Sequence, residues 1–151
     1  MKYLKSYTLY ERFSKETKLF ESVESDVIKK DIEEICYDIT DYGKFRVNIA
    51  PNPQRYSKNR WIILISLADH MDYDGFLLSE VEDTLMRIKE YLGLGRFVNC
   101  EVLLVGEQNR LRLNYISDED RKNNINFPTL NGIDKLTDED RITSINIHYT
   151  L

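Results

Sequence analysis

At 151 residues, 42% hydrophobic and 31% charged, the chain has the composition of one folded domain, 1–151, and not of a disordered polymer. A net charge of −5 argues against the broad basic footprint of a duplex-DNA binder. No apolar run nears the ~20 residues of a membrane span, and MKYLKSYTLYERF lacks the continuous apolar core of a signal peptide, so neither a membrane nor secretion is expected.

Residues 1–23 form an N-terminal arm. Tyr3, Tyr7, Leu9, Tyr10, Phe13, Leu19 and Phe20 make it too apolar for a free tail, yet no strand or helix period runs through it. It is expected to pack on the domain or on a partner. Asp26 to Tyr42 reads as a helix: Ile28, Ile32, Ile35 and Ile39 recur at helical spacing with Cys36 alongside, and Gly43 suits its stop. Phe45, Val47 and Ile49 then alternate with Lys44, Arg46 and Asn48, the pattern of a half-buried strand that Pro51-Asn52-Pro53 ends. Arg60 to Ala68, RWIILISLA, is the longest apolar run, apolar at both parities. A strand of that kind belongs inside a sheet and is expected to be covered on both faces.

Asp69 to Gly75 is a turn. Ser79 with Glu82 has the spacing of a capping box, opening a second helix with the stripe Val81, Leu85, Ile88 and Leu92 and the stop Gly93-Leu94-Gly95. Val98, Cys100, Val102 and Leu104 alternate as a third strand, Gly106 to Asn109 is a turn, and Leu111, Leu113 and Tyr115 form a fourth strand. Ser117 to Thr137 is loop. Ile145, Ile147, Tyr149 and Leu151 alternate as a closing strand that pairs with the sheet or with the N-terminal arm. The fold class expected is α+β: an antiparallel sheet of four or five strands with two helices on one face, in αββαββ order. That order is a permuted ferredoxin-like arrangement in which the first strand of βαββαβ has moved to the end.

Candidate sites are few. Asp72-Tyr73-Asp74-Gly75 matches part of a calcium loop, but the register puts His70 and Val81 where carboxylates are required, so an Asp-rich turn is the reading. The acidic groups 118–120 and 138–140 suit helix N-termini better than one metal ion. Cys36 and Cys100 each fall on an apolar face and read as buried thiols. His70 and His148 lack sequence-local partners. A catalytic residue, a metal site and a cofactor are accordingly not expected. Lys44, Arg46, Arg55, Tyr56, Lys58 and Arg60 form a basic hairpin suited to nucleic acid or an anionic ligand. Solvated charges that discourage edge pairing are the plainer account of it. Tyr3, Tyr7, Tyr10, Phe13, Leu103, Val105 and Ile116 are candidates for an interface, because helices on one face of a sheet leave the other open.

The opening MKYLKSYTLYERFSKETKLFES resembles the leaders of small uncharacterised accessory proteins of tailed bacteriophages. Leu9-Tyr10-Glu11 and Leu19-Phe20-Glu21 resemble the Leu/Ile-x-Glu cleavage pattern of internal virion proteins. The resemblance spans about the first 22 residues and implies a location in the virion or the host cytoplasm, without implying chemistry. The expected function is a non-enzymatic protein–protein interaction module, a virion component or host-interaction factor, with a protein partner or self-association. The alternatives are nucleic-acid or anionic-ligand binding by the basic hairpin, and an enzyme of unrecognised type near His70.

Overall fold

Ile28, Ile32, Cys36 and Ile39 are all buried, and this stripe decides where the first helix lies. A computed structural model describes residues 23–52, 59–69, 71, 73–113, 132–133 and 136–151. Helix α1 (23–35) passes through a turn at Cys36 and resumes as α2 (Tyr37–Thr40). Helical hydrogen bonding continues through the turn: the Cys36 N–H donates to Ile32 O at 2.9 Å and the Thr40 N–H to Cys36 O at 3.1 Å. Gly43, at φ 73°, takes the left-handed conformation that releases the chain into the sheet.

The strands are β1 (Phe45–Pro51), β2 (Arg60–Leu67), β3 (Phe97–Leu104), β4 (Leu111–Leu113), β5 (Gly132–Ile133) and β6 (Ile142–Thr150). Their order in the sheet is β1-β2-β6-β3-β4-β5. The pairings from β1 across to β4 are antiparallel, and the two-residue β5 adds a parallel margin. RWIILISLA is therefore an inner strand. The closing strand β6 lies between β2 and β3, and so it pairs with the sheet. It occupies the place of the first strand of a ferredoxin-like sheet, while β4 is added outside β3. The permuted arrangement thus holds, with β6 as the displaced strand.

Strand parity sorts the two faces. Ile63, Ile65, Ile145 and Ile147 face the helices, and each is 0% exposed. Phe45, Leu67, Phe97, Cys100, Val102 and Tyr149 join them, against Ile28, Ile32, Leu85, Ile88 and Leu92 from the helices. Each such aliphatic side chain stabilises the fold by about 1.5–3 kcal/mol. Ile62 and Leu64, of opposite parity, are only half-buried. The second face is less covered than two-sided apolarity led us to expect.

Helix α3 (Glu82–Arg96) packs against β3 and β6. Polar contacts tie it to α1 and α2: the Tyr91 hydroxyl donates to Asp31 at 2.6 Å, and Arg87 and Arg96 pair with Asp38 at 2.7 Å and Glu24 at 2.5 Å. These pairs are exposed and secondary to the apolar stripe. Its start differs from the predicted capping box. Ser79 lies inside a 3₁₀ turn (Leu78–Glu80), and Glu80 accepts the Leu77 N–H at 2.9 Å. Gly93, at φ 65° and ψ 179°, leaves the helical conformation, at the place where Gly93-Leu94-Gly95 is expected to stop the helix. Val98 is the extra residue of a bulge, since Phe97 pairs with Tyr149 and Asn99 with His148. The bulge places Phe97, rather than Val98, in the core.

Cys36 and Cys100 are buried free thiols. Burial pushes both thiols up to about 12, so neither is an ionised nucleophile at neutral pH. Tyr115, at the end of the predicted fourth strand, lies outside the described residues, as do 1–22 of the N-terminal arm.

Candidate functional site

The face of the sheet away from the helices is polar at its centre. Cross-strand rows, read from the register, run Arg46–Ser66–Ser144–Leu103, Asn48–Leu64–Asn146–Glu101–Arg112 and Ala50–Ile62–His148–Asn99. Arg60 beside Thr150 closes one end, and Arg110 stands beyond the start of β4 and donates to Ser144 Oγ at 3.1 Å. The antiparallel pairing of β3 with β6 places Glu101 opposite Asn146 and diagonal to His148.

Glu101 and His148 are the chemical centre of this face. His148 Nε2 lies 3.0 Å from Glu101 Oε2, and His148 is only 7% exposed. The hydrogen bond from His148 holds the Glu101 carboxyl below its usual range, although burial pushes it the other way; Arg112 and Arg110 add in the same direction as His148. An ionised carboxylate only accepts, so the shared hydrogen belongs to His148 Nε2. Arg112 Nε stands 3.9 Å from the other oxygen, Oε1. Asn99 and Asn146 flank the pair, and the Oδ1 of each is shielded without a hydrogen-bond partner among the described residues. Two unpartnered amide oxygens in one polar patch reduce its stability.

The predicted cations fall in different places. Lys44 pairs with Glu80 and lies 5.6 Å from the Phe45 ring centroid, so it is engaged within the domain. Arg46 and Arg60 are on the open face near opposite ends of the β1–β2 hairpin. Arg55, Tyr56 and Lys58 lie outside the described residues. Of the interface candidates, Leu103 is half-buried on the open face opposite Ser144, and Val105 is 39% exposed just beyond β3. Tyr3, Tyr7, Tyr10, Phe13 and Ile116 lie outside the described residues.

No protein-family model, curated protein or solved structure matches this chain. The site therefore rests on its own geometry.

A shallow groove of about 410 Å³ opens at the end of the sheet that carries Val105, lined also by Ser66, Asp69, Tyr73, Gly75 and Thr143. Asp69 Oδ1 there accepts the Met71 N–H at 2.9 Å, part of the turn expected after β2 from its Asp-rich composition. His70 and Asp72 of that turn, and the acidic group 118–120, lie outside the described residues. In the group 138–140, Asp140 Oδ2 accepts the Thr137 N–H at 2.7 Å, a capped turn. Among the described residues no three His, Cys, Asp or Glu side chains converge as a metal cluster does, and no helix is long and apolar enough to cross a membrane.

The Glu101–His148 pair was missed by sequence reasoning. Both residues occupy the polar parity of predicted strands, so the face of each was readable. Their adjacency was not, because it depends on β6 inserting beside β3.

Proposed function

We propose that the protein is a non-enzymatic interaction module whose open sheet face receives an acidic polypeptide. The carrying observation is an inversion of charge: the chain is −5 overall, yet this face gathers Arg46, Arg60, Arg110 and Arg112 around Ile62, Leu64 and Leu103. Glu101 is the one carboxylate among the described residues of its rows, and it is already engaged by His148. Arginines and apolar side chains beside a polar centre suit a protein interface, in which arginine is enriched and complementary charge sets orientation and on-rate. The leader resemblance adds the setting, a bacteriophage virion or its host cell.

Nucleic acid is the second reading, favoured by the same arginines. Single-strand binders generally add aromatic platforms to their cations. Among the described strand residues, the aromatics Phe45, Trp61, Phe97 and Tyr149 all have the helix-side parity, which favours the polypeptide. A photo-crosslinking residue at Leu64, compared with one at the exposed Lys29 on α1, tests the choice in the native host. Salt-sensitive protein adducts at Leu64 alone are expected. Equal adducts at both positions, or adducts removed by nuclease, would overturn the reading.

A further inference from the structure

We propose that β1 is a self-recognition edge, along which a second copy of the chain adds its own β1, antiparallel, about a two-fold axis at Asn48. Among the described residues β1 has a neighbour on one side only. The ladder parity shows which backbone groups remain. Ala68 N–H donates to Lys44 O and Asn52 N–H to Arg60 O, each at 2.8 Å. Even-numbered residues of β1 therefore turn their groups toward β2, and Phe45, Val47 and Ile49 turn theirs outward. The β1–β2 register runs from Phe45↔Leu67 to Pro51↔Trp61 without a shift. No bulge twists this edge away, and its one proline is the last residue, so two of the usual protections are missing. Among the described residues, the protection this edge retains is charge, in the form of Arg46.

Charge also selects the register. Centred on Asn48, the pairing sets Arg46 opposite Ala50, and the two Arg46 side chains lie four residues apart along the strands, about 14 Å. That exceeds the Debye length of roughly 8 Å at physiological salt, so their repulsion is screened. Centred on Val47, the two would stand about 8 Å apart on the same face, and the repulsion would persist. The Asn48 register also brings Val47 over Ile49 on the helix side, both half-buried at present, and extends the apolar row across the axis. Val47 and Ile49 exchange both of their backbone bonds. Phe45 donates to Pro51, whose missing N–H ends the ladder. The exposed Asn48 side chains meet at the axis, where a pair of amides can donate and accept reciprocally.

Sedimentation velocity of the full chain over a wide concentration range tests this. The wild type should form a dimer. Asn48→Lys sets like charges face to face and should weaken that dimer by roughly tenfold or more. Because the side chain is exposed, the fold should be retained, as circular dichroism will report. An equimolar mixture of Asn48→Lys and Asn48→Asp should restore the dimer as a heterodimer. A wild type that stays monomeric at the highest concentration, or a dimer indifferent to Asn48→Lys, would overturn the proposal.

Discussion

Glu101 on β3 and His148 on β6 face each other across 3.0 Å, though 47 residues separate them in the chain. The contact crosses the two strands that the permutation brings together, so it reports directly on the arrangement of the sheet. Because Glu101 is held below the usual carboxylate range, chiefly by the His148 hydrogen bond, its contribution to stability is complete above the unfolded value of about 4.3. It is lost as the pH falls through the lower folded value. Glu101→Gln should cost about 1–3 kcal/mol at neutral pH. Urea midpoints of the two proteins should then converge in acid, and parallel curves down to the acid limit would count against the pair.

Tyr149 is 0% exposed, and its hydroxyl has no hydrogen-bond partner among the described residues. Burial raises its phenol, so the proton stays on. A buried hydroxyl without a partner carries its desolvation cost with no return. Tyr149→Phe keeps the ring beside Trp61, whose centroid lies 6.3 Å away, and should raise stability by about 1 kcal/mol. Thermal denaturation will show it; a loss would mean that the hydroxyl is satisfied in solution.

Gly75 has φ +67°, and a Cβ there would come within 2.5 Å of Ile142 O and 2.6 Å of Val105 Cγ2. The close approach is required because the neighbouring Phe76 exchanges backbone bonds with Ile142 at 2.9 and 2.8 Å, pinning the turn after β2 onto β6. Gly75→Ala should destabilise by about 2–4 kcal/mol, combining left-handed strain with overpacking. Denaturant unfolding measures it, and a neutral result would imply that the turn relaxes at little cost.

Adjacent residues of β2 separate the two faces. Ile63 is 0% exposed, so Ile63→Ala should cost about 2–5 kcal/mol. Ile62, half-buried on the open face, should lose about 1 kcal/mol or less on the same change. Similar losses at both would show that the open face is as tightly packed as the core.

The helices and the inner strand were legible in the sequence because their signals are local. The buried stripe of Ile28, Ile32, Cys36 and Ile39 repeats at helical spacing, and RWIILISLA is apolar at both parities, so each carries its structure in neighbouring residues. Parity likewise separated Ile145, Ile147 and Tyr149 from His148 before any pairing was known. Tertiary structure alone decided which strands became neighbours. No local pattern places β6 between β2 and β3, because strand pairing is set by how two apolar faces share one helical cover after distant segments meet. The polar centre of the open face, Glu101 with His148 between Asn99 and Asn146, follows from that single insertion. So does the position of β1 at the margin of the sheet among the described residues, which the chain itself marked only by a strand pattern with one arginine inside it.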